Sequence, residues 1–175
     1  MPKHHEGHAM TIRMNQNHNY IADFIQTVQL NYTLDSQNIK WADINKRDES
    51  GHNALYWAIF HKNMLNLVIL LATDCSHIVT KETHALFHAI DCGNTAAFFQ
   101  LMDHGADINY CDKDGKTLLM HAIECEQAAI VKYLLHNKVD VNIIDKKSLL
   151  ASDYAESCND IQIQQFVYNE IFFGA

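Results

Sequence analysis

Chemistry in this chain would have to come from histidine and cysteine. His88 and Cys92 stand four residues apart, and so do His121 and Cys125. On a helix that spacing puts both members of a pair on one face, and two such pairs carry the donor types of a zinc site. The geometry argues against a single four-ligand centre. Helices in contact run about 8–10 Å apart, whereas zinc holds every ligand within about 2.3 Å. A Cys/His pair could also make a nucleophile, but nothing in the sequence supplies an oxyanion hole. There is no Gly-rich phosphate loop, no G-x-S-x-G and no H-E-x-x-H. His4, His5 and His8 could catch a metal adventitiously; a solvated tail is the simpler reading. The expectation is no catalytic residue, no bound metal and no cofactor.

The elements that must position these side chains repeat. Ala58, Ala89, Ala122 and Ala155 lie 31, 33 and 33 residues apart. Each is followed by an apolar pair at a constant distance: Leu70-Leu71, Leu101-Met102, Leu134-Leu135 and Val167-Tyr168. Leu55, Leu86 and Leu119 precede the first three alanines by one helical turn, and Ser152 takes that place in the fourth unit. Each unit reads as two short helices and a turn. In the third, Thr117 caps a helix carrying Leu118, Leu119, Ala122 and Ile123, and a second helix carries Ile130, Val131, Leu134 and Leu135. Gly105 fits a left-handed helix end, and Asp112 to Gly115 supplies turn chemistry. No unit can bury its apolar face alone, so the units must stack.

Composition limits the function classes. The formal net charge is −8 with scattered Lys and Arg, which excludes the basic stripe of a nucleic-acid binder. No run of apolar residues is long enough for a membrane span, and no secretory leader is evident. Five cysteines without a C-x-x-C make a poor disulfide framework and suit a reducing, cytoplasmic compartment.

These residues resemble the ankyrin-repeat family, whose units of about 33 residues open on T-P-L-H-x-A and turn on G-A-D-V-N-x-x-D-x-x-G. The openings here are Asn53-Ala-Leu-Tyr-Trp-Ala58, His84-Ala-Leu-Phe-His-Ala89 and Thr117-Leu-Leu-Met-His-Ala122. The turns are Trp41-Ala-Asp-Ile-Asn45, Gly105-Ala-Asp-Ile-Asn109 and Lys138-Val-Asp-Val-Asn142. The resemblance implies an all-α ankyrin-repeat solenoid of stacked helix-turn-helix units with short hairpin loops. Residues 1–17 form a disordered tail and 18–175 one repeat domain on this reading. Within it 18–45 is an N-terminal cap or degenerate repeat, 46–78, 79–111 and 112–144 are repeats, and 145–175 is a capping repeat. The second unit is two residues short between Asp74 and His84 and lacks the turn's Asp and Gly, so its hairpin is expected to be blunted or irregular.

The resemblance also implies where a partner binds: the concave groove formed by first helices and hairpin tips. The residue before each anchoring alanine then faces the groove, giving Trp57, His88, His121 and Tyr154. Just beyond the alanines stand Phe60, His61 and Glu124, and the third hairpin tip presents Lys113 and Asp114. Trp57, Phe60 and Tyr154 stand out, because exposed aromatics are frequent binding hot spots; the alternative is that they pack on neighbouring helices. The expected function is non-catalytic binding of another protein by a monomer, with no nucleic acid and no membrane. A second reading is an effector delivered by a bacterium into a host cytosol. Abundant Ile, Asn, Lys and His suggest it, as does the Phe172-Phe173 tail, which resembles some secretion signals and could equally complete a capping helix. A metal-binding or enzymatic role for the His/Cys pairs is the third.

Overall fold

Seven-residue helices are too short to persist alone in water, so whatever forms them must come from packing and caps. The computed structural model describes residues 20–34, 39 and 43–173. The tail expected over residues 1–17 and the anchor at Trp41 lie outside them. Among the described residues there are nine helices. They are α1 (Tyr20–Gln29), α2 (Ala54–Phe60), α3 (Met64–Leu71), α4 (Ala85–Asp91), α5 (Thr95–Asp103), α6 (Leu118–Glu124), α7 (Ala128–His136), α8 (Ala151–Ser157) and α9 (Ile161–Phe173). They form two rows. Helices α2, α4, α6 and α8 pack in series as an inner row, with α1 against α2; α3, α5, α7 and α9 form the outer row. No helix among the described residues is long and apolar enough to cross a membrane.

The repeated alanines explain how the inner row closes up. Ala58, Ala89, Ala122 and Ala155 are all buried, and Leu55, Leu86 and Leu119 beneath them are at most 2% exposed. The outer row contributes Leu67, Leu70, Phe98, Leu101, Val131 and Leu134, each fully buried. Polar caps start the helices. Asn53 accepts the Tyr56 N–H at 3.0 Å, Thr117 accepts that of Met120 at 3.2 Å, and Asn94 accepts that of Ala97 at 3.1 Å. Asn94 also donates from Nδ2 to the Ile59 carbonyl of the preceding unit at 2.8 Å, so one cap joins two units.

Three of the four inner helices, α2, α4 and α6, exit through a residue in left-handed conformation: Lys62 at φ 55°, Gly93 at 56° and Glu126 at 54°; α8 ends instead on Cys158 in extended conformation. Asn31, at φ 60°, gives α1 the same exit. Phe24, Ile25 and Val28 on α1 are buried, as their helical spacing predicts. At the other end α9 runs to Phe173, where Phe172 and Phe173 stay exposed. The two rings therefore extend the last helix without entering its core.

The hairpin fingers close by one rule. Asp48 donates its N–H to the His52 carbonyl, Asp112 to that of Lys116, and Asp145 to that of Leu149, at 2.8–3.0 Å. In the second unit Val79 stands in the aspartate's place and donates to Thr83 at 2.8 Å. Val79 is fully buried. Thr80 Oγ1 supplies the missing acceptor, taking the N–H groups of Glu82 and Thr83. The second finger is thus irregular and still closes: a hydroxyl and an apolar plug replace the carboxylate. Arg47 then ties the first two fingers together, donating to the carbonyls of Gly51, Ile78 and Val79 at 2.7–3.1 Å.

His84 caps α4 in an unusual way. Its Nδ1 accepts the Leu86 N–H at 3.2 Å, which requires the ring to be neutral. Burial, reinforced by His77, pulls its pKa from 6.5 to about 4, and Asp107 opposes the shift. The Tyr110 ring lies 4.3 Å away. A group whose folded pKa is depressed contributes its full stability above its unfolded value and loses it as pH falls. Unfolding stability should therefore decline between pH 6.5 and 4. Urea unfolding at pH 7 and pH 5 checks this against His84→Asn, which keeps a cap acceptor without a titrating ring. The variant should show a shallower decline; equal declines would remove His84 as the cause.

Candidate groove site

The inner row and its fingers define a groove whose floor follows a register rule. In the second and third units the residue before the alanine lies on the residue two before the alanine of the preceding unit. His88 stacks on Tyr56 with centroids 4.0 Å apart, and His121 lies on Phe87 at 5.0 Å. This places the expected site residues unequally.

Trp57, Phe60 and His61 come together on α2. Trp57 lies 5.7 Å from Phe60 and 5.8 Å from His61, and Phe60 lies 5.3 Å from His61. Phe60 is 51% exposed, a large apolar ring left to solvent. Trp57 is half-buried, and its indole N–H donates to Asp48 Oδ2 at 2.8 Å. His61 Nε2–H donates to the Gln29 carbonyl at 2.8 Å, leaning towards α1.

His88 is the correction. It is only 6% exposed, its Nε2 meets the Tyr56 carbonyl at 3.3 Å, and burial pushes its pKa down. The ring is sandwiched into the floor because Tyr56 offers it a flat aromatic face. Tyr154 is half-buried and, like Trp57, serves its own hairpin: its hydroxyl donates to Asp145 Oδ2 at 2.7 Å. That bond holds Asp145 below its ordinary pKa, while burial and then Asp145 raise that of Tyr154. Lys113 and Asp114 sit exposed on the third finger. Lys113 pairs with Glu82 of the second, and Asp114 accepts the Lys146 N–H through its main-chain carbonyl at 2.9 Å. Exposed pairs of this kind contribute little stability.

The middle of the groove is the most polar part. His121 Nε2–H donates to Asp91 Oδ1 at 2.7 Å, from the last residue of α4. Cys125 Sγ lies 3.9 Å from the same oxygen and 3.8 Å from His121 Nε2. On the other side of the ring Nδ1 is 3.6 Å from Glu124 Oε2, which also takes Lys116 Nζ at 2.6 Å. The His121 hydrogen bond holds Asp91 below its usual pKa. Burial, aided by Asp91, pushes the Cys125 thiol up to about 11, so it carries its proton near neutrality. A thiol so placed is a poor nucleophile. Spacing two residues after Ala89 puts Asp91 in the groove, but sequence alone did not join it to His121 and Cys125, which stand one unit later.

A family model described as ankyrin repeats (3 copies) matches residues 62–145. The chain is an ankyrin-repeat protein. The matched span covers the α3 to α7 stack and the second and third fingers, where the anchors are most regular. No curated protein matches the chain significantly. Ankyrin repeats are in general protein-interaction modules.

Proposed function

We propose that the chain is a non-catalytic module that holds a partner protein in its concave groove. The observation that carries this reading is Phe60. The ring is half exposed on the inner helix row, with Tyr56, Trp57 and His61 against its covered half and the rest open to solvent. A partner that covered it would gain the burial of an aromatic face, the contact most often energetic at interfaces. Two units further along the row Glu124, Lys113 and Asp114 supply charged groups suited to orientation and rate. Trp57 and Tyr154 stiffen the groove wall through their hairpin aspartates.

The test compares wild type with Phe60→Ala in capture from cell lysate. Phe60 is outside the core, so the variant should melt like wild type. A protein retained by wild type and lost at least about tenfold in the variant is the expected result, corresponding to an interface hot spot. Equal capture by both would move the binding surface away from α2.

A further inference from the structure

The Asp91–His121–Cys125 group goes beyond partner binding. Three donor atoms of different kinds converge from two helices, and all lie within 4.8 Å of one another. We propose that they bind a zinc-class divalent transition metal, with a fourth position open to the groove.

Geometry comes first. Tetrahedral coordination with bonds of about 2.0–2.3 Å sets donor atoms about 3.3–3.6 Å apart. The two edges to Cys125 Sγ, 3.8 and 3.9 Å, are already close to that. Only the Asp91–His121 edge, 2.7 Å while a proton sits between them, must open. A metal taking that place would open it, and coordination would release the Cys125 thiol proton to solvent so that the thiolate binds. The helices fix the rest: His121 lies on α6, Cys125 caps the end of α6 one turn later, and the Phe87 ring lies against the imidazole.

The state of the imidazole argues the same way. With Nε2 donating to Asp91, Nδ1 is buried and has no hydrogen-bond partner. Buried polar atoms seldom stay so. A metal on Nε2 puts the proton on Nδ1, where Glu124 Oε2 waits at 3.6 Å with Lys116 fixing it from behind. A carboxylate behind a ligating histidine is the usual outer shell of such a site.

The donor set selects the metal. Magnesium and calcium want oxygen ligands, and there is one carboxylate here. Mixed thiolate, imidazole and carboxylate suit zinc and its neighbours. Three protein donors would leave one position, and two of the donor residues, Asp91 and His121, line a cleft of about 290 Å³ together with Phe87, Tyr110 and Lys113. Water would fill it in the free protein, and a donor side chain of a groove ligand could replace that water. The His88–Cys92 pair makes no equivalent site, because His88 spends its Nε2 on the Tyr56 carbonyl and is buried against that ring.

The experiment titrates Co²⁺, as the spectroscopic probe, into the untagged full chain under reducing conditions. A parallel variant replaces His4, His5, His8 and His18 with alanine, so that the N-terminal histidines cannot supply the signal. One cobalt per chain is expected, with a cysteinate-to-cobalt charge-transfer band that zinc displaces. The band should survive the four-histidine variant and Cys92→Ser. It should vanish in Cys125→Ser, with affinity falling about tenfold or more in His121→Ala, Asp91→Asn and Glu124→Gln. A wild-type chain without the band would overturn the proposal. So would a band that survives Cys125→Ser, or cobalt uptake lost with the four histidines alone. None of these outcomes depends on partner capture, so this proposal and the groove reading fail separately.

Discussion

Phe98→Ala is expected to destabilise the chain by about 3–5 kcal/mol, the cost of emptying a large buried aromatic site. Phe98 is fully buried in α5, between the edges of Phe99 and Tyr133, each 6.0 Å away. Tyr133 belongs to α7, so the ring joins two units. In a stacked repeat, stability is a sum of weak units and the interfaces between them. Domains have only about 5–15 kcal/mol in total, and losing a central interface should also uncouple the two ends. The variant should therefore unfold at lower urea with a smaller slope, or in two steps. A single transition shifted by less than about 1 kcal/mol would show that the α5–α7 contact does not hold the stack together.

Much of this was legible from sequence because repetition multiplies a weak signal. Four alanines, the leucines one turn before them and the apolar pairs after them mark both helix rows, and the structure buries those anchors except Met102, which is half-buried, and Tyr168, which is exposed. The second finger was not legible. Val79 occupies a position where the other units carry an acid, and its two-residue deletion suggested a defect. Only the structure shows that burying Val79 and turning on Thr80 closes the same loop. The groove was legible as a face but not as chemistry. Spacing within a helix displays pairs such as His121 and Cys125, while Asp91 arrives from the neighbouring helix, at a distance set by the close approach the alanines allow. His88 was misplaced for a related reason. Its position in the repeat faces the groove in general, but a tyrosine two positions before the preceding alanine captures its ring and buries it.

Trp57 had two readings, hot spot or packing residue, and its bond to Asp48 makes them separable. Asp48 Oδ1 accepts the N–H groups of Ser50 and His52, each at 2.9 Å, while Oδ2 accepts the indole. Burial pushes this carboxyl's pKa up, but those N–H groups outweigh it and hold the group below its ordinary 3.8. Asp48→Ala orphans three donors at once and should cost about 2–4 kcal/mol. Asp48→Asn is more informative. Its oxygen can keep the two backbone bonds, but its amide then faces the Trp57 N–H, donor against donor. Trp57→Phe removes that conflict. The asparagine should therefore cost less in the phenylalanine background than in wild type, by about 1 kcal/mol or more. A cycle of this size would make Trp57 a strut of the first finger, leaving Phe60 as the exposed ring that a partner can use. Additive single effects, together with loss of partner capture in a stably folded Trp57→Phe, would return Trp57 to the binding surface.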